Sequence, residues 1–134
     1  MLRDDRQIAL NQAIEACLHA AHVHEHGADR IGEDTAGLRH LAARRRQDAE
    51  TLAGHLRRLG DLPTDPDPEY EVAADLVSRV TAALAEDERH QVIARSRAAE
   101  DRLAEALQGV LKQDLPPDCQ SDVERILNAP AVLK

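Results

Sequence analysis

Apolar residues in this chain recur at the three- and four-residue spacing of a helix, and most of them are alanine or leucine. The first such stretch, Ile8 to Ile31, sets the pattern. At about 100° per residue, Leu10, Ala13, Ile14, Cys17, Leu18, Ala21 and Ala28 fall on one face. Tyr70 is the single aromatic residue, with no Phe or Trp, and no alternating Val/Ile/Thr-rich run occurs. Alanine is the best helix former and lets helix axes approach closely, but it buries little area per residue. The composition is therefore all-α, with a thin core. A chain of 134 residues makes one domain, spanning 1–134.

Taken in order, the spacing predicts helices over about 4–31, 35–59, 68–85, 88–113 and 117–129. Asp4 or Asp5 suits the start of the first, and Gly32 its stop. Asp34 or Thr35 caps the second, so the first two helices form an antiparallel hairpin. The second buries Leu38, Leu41, Leu52, Leu56 and Leu59, and Arg45 projects from the middle of that face. The segment from Asp61 to Pro68 carries three prolines and reads as a linker.

After the linker, one apolar stripe runs from Val72 to Leu84, and a second, out of phase, begins at Val92. A straight helix does not turn its apolar face so abruptly, which predicts a break near Glu86–Glu88. The segment before the break, about 27 Å long at 1.5 Å per residue, is long enough to cross a bundle. The expected fold is then two antiparallel hairpins joined by a helical crossover, the ferritin-like connectivity, with a short last helix stopped by Pro130. An up-down array of five helices is the alternative.

Several segments resemble a family of uncharacterised bacterial ferritin-like four-helix-bundle proteins. They are Ala13 to Cys17, Arg57 to Gly60, Glu100-Asp101 followed by Leu107, and Gln113 to Asp118. The resemblance implies a compact helical bundle, in a family sometimes linked with stress.

A formal charge of −8 and a pI near 5.3 argue against nucleic acid as a partner. No stretch reaches the roughly 20 apolar residues that span a bilayer, so no membrane partner is expected. Two cysteines far apart and no secretion signal suggest a reducing, cytoplasmic setting.

Three groups of residues invite a chemical reading. A di-iron carboxylate centre needs Glu-x-x-His motifs facing a bundle core, and none occurs here. Glu15, His19, His22 and His26 share a different face of the first helix, at i, i+4, i+7 and i+11. His22 and His26 have the spacing to chelate a divalent transition metal such as zinc, nickel or copper. That face lies more than about 100° from the apolar stripe and is expected to point to solvent. The third group is Arg45, Glu100 and Glu25, each on or beside an apolar stripe. A guanidinium inside a bundle needs a carboxylate partner, so a structural ion pair Arg45–Glu100 is expected, with Glu25 as a third member. Cys17 reads as a small core residue, whereas Cys119 beside the Pro-Pro turn reads as more exposed.

No catalytic residue and no cofactor site emerge from these patterns. The expected role is a non-enzymatic bundle acting by association, as a homodimer or with a protein partner that covers apolar surface left by the short last helix. The alternative is a ferritin-like metal-binding protein.

Overall fold

The computed structural model describes residues 4–63, 88–129, 131 and 133. Among these, four helices and no strand are present: α1 (Asp5–Ile31), α2 (Ala36–Arg58), α3 (Glu88–Leu111) and α4 (Pro117–Asn128). The expected helix over 68–85 lies outside the described residues, and so does the predicted break ahead of Glu88.

Local chemistry explains the ends of α1. Asp4 caps it with a reciprocal pair: the Gln7 amide donates to Asp4 Oδ1, and the Asp4 amide donates to Gln7 Oε1, both at 2.9 Å. At the other end Gly32 adopts a left-handed φ of 80°, and its amide reaches back to the Ala28 carbonyl. Thr35 precedes α2 without a side-chain cap bond. Pro117 opens α4, where a missing amide hydrogen costs nothing.

Hydrogen bonds between the helices set their directions. Gln7 Nε2 donates to the Leu59 carbonyl at one end of the bundle, and Arg39 meets Asp29 at the other, so α1 and α2 are antiparallel. Arg30 pairs with Glu88, which makes α3 antiparallel to α1 and parallel to α2. Arg58 pairs with Asp118 and His55 with Asp122, which turns α4 back against α2. Both α1 and α4 pack on α2 and α3. Thus α2 ends at the end of the bundle where α1 begins, and α3 begins at the opposite end.

The core divides into two apolar clusters. The larger gathers Leu10, Ile14, Leu52, Leu56, Leu107 and Val123 with their neighbours, and α4 contributes Cys119 and Ile126 to it. The smaller contains Ala28, Leu38, Val92 and Ile93. At about 18 Å, α4 is half the length of α2 and reaches only the larger cluster. The chain beyond it continues the cover: Leu133 packs against the smaller cluster, and its carbonyl accepts a hydrogen bond from Arg97. Leu133 thus covers part of the smaller cluster, which α4 does not reach. Ile8 and Leu62 are the large apolar residues left exposed among those described.

Gly27 marks the closest approach of α1 to α3. A β-carbon there would sit 2.5 Å from Val92 Cγ1, a stiff β-branched side chain that cannot swing away. Gly27→Ala sets a helix-propensity gain of about 1 kcal/mol against overpacking of about 1–3 kcal/mol. The expected net effect is destabilisation, read by urea denaturation. Combining it with Val92→Ala should cost less than the sum of the two single changes.

Candidate functional site

Between the two apolar clusters lies a layer of buried polar side chains drawn from three helices. Arg45 of α2, 3 % exposed, is at its centre. Its Nε donates to Glu100 Oε2 of α3 at 2.9 Å, and its Nη2 donates to Glu100 Oε1, a bidentate fork. Arg45 Nη1 also donates to Asp48 Oδ2, one turn along α2, at 2.8 Å. From α1, His24, with no exposed surface, donates through Nε2 to Glu100 Oε2 at 2.9 Å. An ionised carboxylate only accepts, so the imidazole proton belongs on Nε2. His24 Nδ1 and the buried hydroxyl of Ser96 have no hydrogen-bond partner among the described residues.

The electrostatics follow from burial and pairing. Burial pushes the Glu100 carboxyl up, but hydrogen bonds from His24 and Arg45 outweigh it and hold the group at about 2. Burial likewise opposes the charge on Arg45, and its bonds to Glu100 and Asp48 more than compensate, so its pKa is raised.

Arg45 and Glu100 are thus brought together in the core. Glu25 is not a member of that group. It pairs with Arg46 on the surface, where both side chains are nearly half exposed. The reason is angular: Glu25 follows His24 and Arg46 follows Arg45, so each sits about 100° around its helix from the buried layer. His24 and Asp48 take the places that remained, and their positions carry a signal. Cys17, Ala21, His24 and Ala28 continue the apolar stripe of α1, and Leu41, Arg45, Asp48 and Leu52 that of α2, at steps of three and four.

The histidine face of α1 also differs from expectation. His19, His22 and His26 are half-buried, and only Glu15 is exposed. From Ala16 to Ala28 every α1 residue is buried or half-buried, so the neighbouring elements cover part of every face of this stretch. Small residues such as Ala16, Ala20 and Ala21 permit that close packing. The His22 and His26 rings stack nearly parallel, 5.9 Å apart. No group of three His, Cys, Asp or Glu side chains is arranged to hold a metal among the described residues. The core carboxylates do not fit a di-iron centre either, because a guanidinium already lies against both of them.

A second clasp, which sequence reasoning did not find, ties α4 down. His55, buried on α2, donates from Nε2 to Asp122 Oδ2 at 2.7 Å, while its Nδ1 accepts from Arg58. The hydrogen bond from His55 holds the Asp122 carboxyl below the ordinary carboxylate range. Cys119, beside this clasp, is buried rather than exposed, because α4 turns it into the larger cluster. Burial pushes the Cys17 thiol up to about 12 and the Cys119 thiol up to about 11.

Two expectations follow. Both thiols should resist a thiol reagent in the folded protein and react only on unfolding, as a spectroscopic thiol count would show. The pH dependence is set by Glu100, whose folded pKa of about 2 lies below its ordinary 4.5. Its contribution to stability, on the order of 3 kcal/mol, is fully present above pH 4.5 and drains away as pH falls towards 2. Denaturation of Glu100→Gln across that window should lack this part of the decline, while at neutral pH the variant loses about 3–5 kcal/mol.

These contacts stand without a relative to compare them with: no protein-family model, no curated protein and no solved structure matches this chain.

Proposed function

We propose that this chain is a non-enzymatic ferritin-like helical bundle that works by association, with a second copy of itself or with a protein partner. The observation that supports this reading most is the state of the buried layer. Arg45 engages both core carboxylates, Asp48 and Glu100, and His24 takes a further place on Glu100. A metal centre needs carboxylates free to coordinate, and that need conflicts with this layer, where Arg45 lies against both of them. The parallel run of α2 and α3, with α2 ending and α3 starting at opposite ends, agrees with the ferritin-like crossover. No helix among the described residues is long and apolar enough to cross a membrane.

The second reading is a divalent transition metal held by His22 and His26, with His19 or Glu15 as further ligands. The stacked rings at 5.9 Å favour it over any site in the core. Light scattering at micromolar concentration should give a mass twice the 14.7 kDa of one chain. A single-chain mass would remove self-association from the proposal. Elemental analysis of tag-free protein should find no stoichiometric metal. One metal per chain, lost in His22→Ala/His26→Ala, would favour the second reading.

A further inference from the structure

We infer that one water molecule binds inside the bundle between α1 and α3, held by Nδ1 of His24 and the hydroxyl of Ser96. The inference concerns the polar layer alone and does not depend on the association reading.

His24 and Ser96 are both fully buried, with no exposed surface. Two contacts fix how α1 lies against α3 at this level. A β-carbon on Gly27 would come within 2.5 Å of Val92, and His24 Nε2 meets Glu100 Oε2 at 2.9 Å. Along α3, Val92, Ser96 and Glu100 follow one another at steps of four and share one face. Ser96 therefore stands one turn, about 6 Å, from Glu100, on the face that α1 covers. Glu25 turns away to Arg46 at the surface, so the His24 ring is the polar group that α1 presents at the level of Ser96.

Both groups keep hydrogen-bonding capacity that the layer does not use. The bond to Glu100 places the His24 proton on Nε2, which leaves Nδ1 as an acceptor. The Ser96 hydroxyl can donate as well as accept. Neither atom has a partner, and they do not bond to each other. Polar atoms left unpaired in an interior are costly, and interior waters, with about two to four hydrogen bonds each, meet that need. A water here donates to His24 Nδ1 and accepts from the Ser96 hydroxyl. The neighbouring charges are already matched, Arg45 against Glu100 and Asp48, so the site selects a neutral molecule. The water then continues the hydrogen-bonded layer from Arg45 and Glu100 through His24 to Ser96.

Ser96→Ala tests the inference by the sign of its effect on urea denaturation. Alanine is the better helix former, and an unpaired hydroxyl is a burden, so the change raises the midpoint of a dry site. Loss of one of the two groups that hold a water lowers it, which is the expected result. A crystal structure of the wild-type chain gives the second readout. Density for a water within hydrogen-bond reach of both His24 Nδ1 and Ser96 Oγ supports the inference. A raised midpoint, no such density, or a Ser96 hydroxyl turned onto the Val92 carbonyl overturns it.

Discussion

The guanidinium of Arg45 is the group around which the bundle is arranged. A cation taken out of water carries a desolvation cost of several kcal/mol, recovered only where oxygens meet it in good geometry. Here Glu100 supplies two and Asp48 a third. Glu100 comes from α3 and Arg45 from α2, while His24 reaches the same carboxylate from α1. One carboxylate therefore joins three helices. A slip of one turn along any of them would strand a charge in a dry interior. Apolar clusters tolerate some sliding, whereas the buried pair of Arg45 and Glu100 opposes it, so the layer fixes register as well as contributing stability.

The materials of the core explain why such a device matters. With alanine at so many inner positions, the helices lie close together, to the point that Gly27 of α1 has room for no β-carbon beside Val92. Close axes bring backbones together but bury little apolar area for each residue. Leucines concentrate in the larger cluster, and α4 closes that cluster. The smaller cluster relies on Ile31 and on Leu133 from beyond α4. The two ends of the bundle are thus held by different segments of the C-terminal region, with the polar layer between them.

Two kinds of titratable group stand out among the described residues. Those inside are committed: Glu100 and Asp48 to Arg45, His55 to Asp122, and both thiols raised by burial beyond the range of ready reaction. Those outside form pairs such as Glu25–Arg46 and Asp29–Arg39, which are largely exposed and contribute little each. The apolar face of α4 is likewise committed, since Cys119, Val123 and Ile126 lie in the larger cluster.

Among the described residues, helix positions were legible in the sequence, since cap residues and apolar spacing are local properties. Asp4, Gly32 and Pro117 mark boundaries wherever the helices are finally packed. The pairing of Arg45 with Glu100 was also legible, because an arginine on an inner face has few ways to be satisfied. What tertiary structure alone decided was which other groups enter that layer and which face of α1 is covered. Glu25 and His24 are adjacent in sequence, and only the approach of α3 determines that His24 meets Glu100 while Glu25 meets Arg46. The histidine face looked wet on a helical wheel because a wheel records the pattern of one helix and not how many neighbours enclose it. Cys119 looked exposed beside two prolines for the same reason: burial is a property of the assembled bundle, and no local pattern determines it.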